Sequence, residues 1–272
     1  MTVGLGISAG VLASAPALAD GPAAGPGGSH RRRRLRVMTF NIHHGAGTDG
    51  VLDLERVARV IRHANPDVVG LQEVDRHWDE RSDHVDQPRW LAKRLGYRYA
   101  FGANLDEDPA RPGEPRRQYG TALLTRFRIL SWRNSPLPRF ADGEPRGLLQ
   151  VRTRFGLFCS THLQHDNAEE RRAQAEAVVR LLSEREGAAA EPTVVVGDLN
   201  AVPDAPELAP LLEAYPDSWE QAGDGDGFTY PAEAPDRRID YVLADPRTRA
   251  VRTRVVSTDA SDHLPYVVDY LR

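Results

Sequence analysis

Carboxylates, carboxamides and imidazoles recur in this chain directly after short apolar runs. The clearest case is Thr193-Val194-Val195-Val196-Gly197-Asp198-Leu199-Asn200. Three successive valines fit neither an amphipathic helix nor a half-exposed strand, so they read as a strand buried on both faces. Asp198 and Asn200 follow, and in extended chain two residues so spaced point the same way. A carboxylate can take a proton from water; a carboxamide can orient that water or donate to an oxyanion. An Asx turn closing the strand is the plainer reading of the same residues. Polar endings of this kind also occur at Asn41, Glu73, His162, Asp240, Asp262 and His263. Oxygen donors without cysteine suit Mg2+ or Mn2+, held by one or two carboxylates plus substrate phosphate, better than a structural zinc ion.

Alternating strands and helices would have to position these groups. Leu35–Ile42 reads as a strand ending in Asn41, with His43, His44 and Gly45 beyond. A loop histidine such as His44 reads as solvated. Asp53 can cap a helix whose stripe is Leu54, Val57, Val60 and Ile61, stopped by Asn65-Pro66. A second buried strand, Val68–Glu73, delivers a carboxylate. Residues 75–88 read as a charged loop, and a short helix with Trp90, Leu91 and Leu95 closes at Gly96. Residues 104–117, rich in proline and charge, read as a long loop. Strands at 119–125 and 128–132 precede the pair Leu148–Thr153 and Leu157–Thr161, which delivers His162. A helix over Ala168–Ser183 then leads to the valine strand. Asp224-Gly225-Asp226-Gly227 lacks the full ligand set of a calcium loop and reads as a turn. Arg238–Leu243 reads as a strand with an inward Asp240, and Ser261-Asp262-His263 feeds the last strand. Strand, helix, strand with polar tips is an α/β pattern.

With 272 residues, 40% of them hydrophobic, and a net charge of −4, the chain can bury a sizeable core and is no generic polyanion binder. Residues 1–19 read as a secretory signal ending Ala17-Leu18-Ala19, which predicts export. Gly6-Ile7-Ser8-Ala9-Gly10 matches a nucleophile elbow, but it lies inside that apolar run and carries no catalytic meaning. Residues 20–34 read as a Gly/Pro/Arg leader, and 35–272 as a single catalytic domain, expected to be a monomer without an obligate protein partner and with no membrane span after signal removal. The lone Cys159 can form no intrachain disulfide and reads as a buried strand residue.

Six markers, in order, carry a resemblance: Thr39-Phe40-Asn41, Leu71-Gln72-Glu73-Val74, Ser160-Thr161-His162-Leu163, Gly197-Asp198-Leu199-Asn200, Arg238-Ile239-Asp240-Tyr241 and Ser261-Asp262-His263. From about Leu35 to the C-terminus the chain resembles the endonuclease/exonuclease/phosphatase superfamily. The resemblance implies a four-layered α/β sandwich, two packed, mainly antiparallel sheets flanked by helices. It implies a metal-dependent phosphoric ester hydrolase, foremost a phosphodiesterase, using in-line attack by water. Glu73 would be the principal ligand of Mg2+ (or Mn2+), helped by Asn41 and Asp262. Asp198 would activate water beside Asn200, and His263, paired with Asp240, would contact the phosphoryl oxygens opposite His162. Tyr119, Thr121 and Arg238 are implied substrate contacts. Abasic-site endonucleases usually carry Tyr where His162 stands and Asp where His43 stands, which points away from DNA repair. Nucleic acid and a phospholipid or glycolipid head group both remain open as substrate. A binding protein that keeps the fold without catalysis is the competing reading.

Overall fold

In the computed structural model, which describes residues 34–184 and 191–271, strand alternation sorts the apolar side chains into layers. The strands are β1 (Arg34–Asn41), β2 (Val68–Arg76), β3 (Arg98–Glu107), β4 (Arg117–Thr125), β5 (Ile129–Pro136), β6 (Gly147–Thr153), β7 (Gly156–His162), β8 (Thr193–Asp198), β9 (Asp240–Ala244), β10 (Ala250–Val255) and β11 (Tyr266–Leu271). The helices are α1 (Leu54–Ala64), α2 (Gln87–Leu95), α3 (Ala168–Ser183), α4 (Ala209–Ala214) and α5 (Ser218–Ala222). The predicted signal over 1–19 lies outside the described residues, as does the leader up to residue 33. Among the described residues no helix is long and apolar enough to cross a membrane.

One sheet has the order β10-β11-β1-β2-β4-β3 and the other β5-β6-β7-β8-β9. Only β1 with β2 and β7 with β8 pair in parallel; the other neighbours are antiparallel. Each parallel pair is bridged by a helix, α1 or α3, because parallel neighbours need a crossover. Val37, Val68, Val194, Val196 and Val242 meet between the sheets. Their neighbours Met38 and Val69 face α1 and α2, while Val195 and Leu243 face α3 and α4. Helix, sheet, sheet, helix is the expected four-layered sandwich. A one-residue slip of any central strand would exchange its two buried faces, so packing fixes the register.

The helix signals operate as read. The Asp53 carboxylate accepts from the Arg56 N–H at 3.1 Å, and Asn65 ends α1 at φ 54°. Gly96 closes α2 at φ 72°. At Gly70 the sheets touch most closely, since a Cβ there would lie 2.1 Å from Val196 Cγ2.

Two loops are shorter than expected. β3 and β4 extend into residues 104–117 and leave only 108–116 between them, because Arg116 pairs with Asp106 at 2.6 Å and Arg117 with Glu107 at 2.5 Å across the ribbon. Likewise β2 runs on to Arg76, and Arg81 holds the buried Asp75 at 2.8 Å. On α3 the buried face includes Glu170 and Gln174, and Gln174 Oε1 accepts from the Gln164 N–H at 2.8 Å.

Candidate active site

Parallel pairing brings the C-terminal ends of β1, β2, β7 and β8 to the same edge of the sandwich. In the second sheet, register sets His162 beside Asp198 and Asp198 beside Asp240, one polar row across β7, β8 and β9. Asp198 keeps the parity of Val194 and Val196, so it points between the sheets, toward Asn41 of β1. The Asn41 amide donates at 3.0 Å to both Asp198 Oδ2 and Glu73 Oε1. One fully buried carboxamide thus joins the two sheets' carboxylates.

Glu73 reaches this point only because β2 breaks its alternation. Simple parity would turn it with Val69 and Leu71 toward the helices. Instead the β2–β4 register shifts between Leu71 and Val74, and Glu73 has φ 54°. A left-handed non-glycine residue costs about 1–2 kcal/mol, which this bulge spends on re-aiming a carboxylate. Asn200 departs from extended geometry as well. β8 ends at Asp198, Asn200 has φ 51°, and its N–H donates to Asp198 Oδ1 at 2.9 Å. The turn reading of this motif holds, and the assumption that the two side chains share a strand face is corrected.

Asp198, Asp240 and His263 are buried, and their ligand atoms all lie within 4.8 Å of one another, close enough to share an ion. One imidazolium here faces two carboxylates. His263 Nδ1 donates to Asp240 Oδ2 at 2.9 Å, and its Nε2 lies 3.6 Å from Asp198 Oδ2. Burial pulls the His263 pKa down, but Asp240, then Asp198, outweigh it and raise the pKa to about 10. Burial pushes the Asp198 carboxyl up to about 7, with the Asp240 charge adding and the His263 charge and the Asn41 and Asn200 donors offsetting part of the rise. Tyr230 packs on His263 with ring centroids 4.6 Å apart.

His162 has a different kind of partner. Arg146 Nη1 lies 2.9 Å from its Nδ1, and Arg146 is itself buried beside Glu144. A guanidinium only donates, so Nδ1 accepts and the ring proton belongs on Nε2, the nitrogen 3.6 Å from Asp198 Oδ2. The Asn200 Nδ2, 3.0 Å from Nε2, also donates to the Leu163 carbonyl at 3.0 Å, so a half-turn that offered Nε2 the amide oxygen would give up that bond. Burial, then the Arg146 charge, holds the His162 pKa well below 6.5, so this ring is neutral while His263 is charged.

His162, Asp198, Asn200 and His263 line a cleft of about 720 Å³, together with Glu73, Tyr119 and Asp262, while Asn41 and Asp240 are buried and are not part of its lining. Three residues proposed from sequence are placed otherwise or only partly here. Arg238 precedes β9 and is buried; its guanidinium pairs with Asp217 and, at 2.9 Å, with Glu220, away from the cleft lining. Thr121 is fully buried in β4 and does not line the cleft. Tyr119 does line it and is itself buried. His44 is half-buried rather than solvated, and burial, then His43 and Arg81, hold it down at about 4. Arg146, Glu144 and Tyr230 were missed because none of them sits at a strand's C-terminal end.

Glu73 and Asp262 fit a divalent cation. Both are carboxylates on the cleft, and among the described residues Glu73 has no cationic side chain within 4.0 Å. Asp262 has only His43, at 3.8 Å. An oxygen pair whose charge the protein leaves uncompensated is what a hard cation requires.

Fold and cleft together define an α/β-sandwich hydrolase of phosphate esters. The chain belongs to the endonuclease/exonuclease/phosphatase family, whose model matches residues 38–263. It is 33% identical to a family member from Beutenbergia cavernae, covering 88% of this chain and 72% of that one with a TM-score of 0.74. The mannosyl-6-phosphatase of Bacteroides thetaiotaomicron is 19% identical, with 88% and 100% covered and a TM-score of 0.71. TDP2 from C. elegans is 20% identical, with 88% and 75% covered and a TM-score of 0.60. These last two share the fold. No curated protein matches the chain.

Proposed function

We propose that this protein is a divalent-metal-dependent hydrolase of phosphate esters carried by small polar molecules, such as a sugar or a lipid head group. The observation that carries the reading is the link from Glu73 through Asn41 to Asp198 and on to His263, joining a cation-type carboxylate, a base and a charged donor in one cleft. Asp198, with a pKa raised to about 7, is suited to take a proton from the attacking water near neutral pH. His263, charged, faces the phosphoryl oxygens, and neutral His162 offers its Nε2–H from the other side. A cation held by Glu73 and Asp262, Mg2+ or Mn2+ by their oxygen chemistry, would supply positive charge against the phosphate.

The arginines favour a small substrate over duplex nucleic acid. Arg111, Arg116 and Arg117, the basic cluster of the long loop, pair with Glu114, with Asp106 and Asp108, and with Glu107. At the cleft Arg171 pairs with Glu207, and Arg237 with its neighbour Asp236. A phosphate-tracking groove would leave such charges free. The mannosyl-6-phosphatase relative points the same way. From the pattern of residues 1–19 we also propose export, which mass spectrometry of mature protein beginning at Asp20 would test.

The deciding experiment is a panel of plasmid DNA, RNA, sphingomyelin, phosphatidylinositol, a sugar phosphate and an aryl phosphodiester, with and without chelator. Turnover of the small esters, abolished by chelator and by Asp198→Asn, is expected. Equal activity in chelator sinks the metal reading; preference for plasmid DNA sinks the substrate reading.

A further inference from the structure

The turn after β1 carries chemistry that the hydrolytic reading leaves unused. His43 and His44 are followed by Gly45, and all three adopt the left-handed region, with φ of 43°, 45° and 88°. Glycine does this freely; two histidines in succession do not. Opposite them stands Glu73, also left-handed at φ 54°. The ligand atoms of His43, His44 and Glu73 all lie within 4.8 Å of one another. Donors bound at about 2.0–2.2 Å to one ion stand no more than ~4.4 Å apart, so this set closes on a cation with little movement.

The strained turn is held from outside. Gln87, fully buried at the start of α2, donates to the His44 carbonyl at 2.6 Å and accepts from the Asp75 N–H at 3.0 Å. Asp75 is two residues beyond Glu73, so one side chain clamps the histidine turn to the strand that carries the carboxylate. The Asn41 Oδ1 accepts from the His43 N–H at 3.1 Å and fixes the turn from the other side. His43 Nδ1 is buried and has no hydrogen-bond partner among the described residues; the nearest carboxylate oxygen, Asp262 Oδ1, is 3.8 Å away. Strain held by dedicated contacts, around a buried imidazole nitrogen with no partner among the described residues, points to a ligand site.

We infer that His43 and His44 join Glu73 to form a mixed nitrogen and oxygen cation site, one that takes a borderline transition ion such as Mn2+, Fe2+, Co2+ or Zn2+ in preference to Mg2+. Imidazole nitrogen suits those ions, whereas Mg2+ selects oxygen and retains its water. The inference rests on the metal-dependent reading above and shifts its choice of ion, Mg2+ or Mn2+ by oxygen ligands alone, to the transition-ion side.

The test uses the full chain stripped of metal. Titration with Co2+ is followed by its visible absorption, Mn2+ binding by electron spin echo modulation from directly bound imidazole nitrogen, and Mg2+ binding by calorimetry. His43→Asn and His44→Asn are the chosen variants, because asparagine tolerates left-handed backbone while losing the imidazole. Expected are nitrogen modulation in the wild type, its loss in the double variant, and a roughly tenfold fall in preference for Co2+ over Mg2+. Absence of nitrogen modulation in the wild type, or an unchanged preference in the double variant, overturns the histidine assignment. If those results came with cation binding that Glu73→Gln abolishes, the metal-dependent reading would stand alone. If Glu73→Gln bound every ion as tightly as the wild type, both would fall.

Discussion

Arg238 separates a substrate contact from a structural cation, and its replacement tests which it is. The side chain is 5% exposed and pairs with Asp217, 4% exposed, while its second partner Glu220 is 70% exposed. Its guanidinium also lies 5.3 Å from the Tyr241 ring. In Arg238→Met the methylene volume stays and the charge goes, so Asp217 is left buried without its counter-ion; Glu220 turns to water at little cost. Removing one partner of a buried pair costs about 3–5 kcal/mol. At about 2–4 °C per kcal/mol for a domain of this size, the melting temperature falls by roughly 6–20 °C. Burial already raises the Asp217 pKa even with Arg238 beside it, and without Arg238 it rises further. A raised folded-state pKa contributes stability that is full below the unfolded value and is lost as pH rises through the folded one. The deficit of Arg238→Met therefore shrinks as pH falls toward the ordinary carboxylate range. Adding Asp217→Leu removes the stranded charge and recovers much of the loss at neutral pH. Thermal melts across pH, with kcat and KM measured well below each midpoint, read all of this. A melting temperature within about 1–2 °C of wild type, joined to a tenfold or greater rise in KM, would refute the reasoning and restore Arg238 as a substrate contact.

The remaining predictions concern the cleft and the sheet interface. Activity should need Asp198 ionised and His263 charged, so kcat/KM rises with pH through about 7 and falls through about 10; in Asp240→Asn the upper limb moves down by about a unit or more, and a limb that stays put would show that Asp240 does not hold the His263 charge. Asp198→Asn should lower kcat by roughly 10²–10⁴, since the carboxamide fills the same space but cannot take a proton, and should lower the melting temperature, because its NH2 must face a donor, Asn41 or Asn200, that the carboxylate accepts from. Arg146→Met removes the donor on His162 Nδ1 and the neighbouring positive charge, so the His162 pKa rises, seen as a shifted imidazole resonance in a pH titration. Gly70→Ala puts a methyl 2.1 Å from Val196 Cγ2 and should destabilise by about 1–3 kcal/mol in denaturant unfolding.

The parts of this protein that sequence makes legible are those that local pattern dictates. Runs such as Val194-Val195-Val196 define strands buried on both sides, and Asp53, Asn65 and Gly96 punctuate helices through contacts within a few residues. The polar groups at Asn41, His162 and Asp198 were legible for a related reason, because parallel strands put their C-terminal ends together. Antiparallel neighbours obey the opposite rule. Arg146 immediately precedes β6, and β6 runs antiparallel to β7, so the beginning of one strand lies beside the end of the other. A search of strand ends alone passes over Arg146, although a charged residue bordering an apolar strand was there to see. Glu73 is the reverse case: its position was found, yet alternation would have faced it away from the cleft, and only the bulge in β2 turns it inward. Arg238 has the same neighbours in sequence whether it meets substrate or Asp217, twenty-one residues earlier, so only packing decides. Local chemistry thus nominates the groups, and strand direction, bulges and long-range ion pairs determine which of them face one another across the cleft.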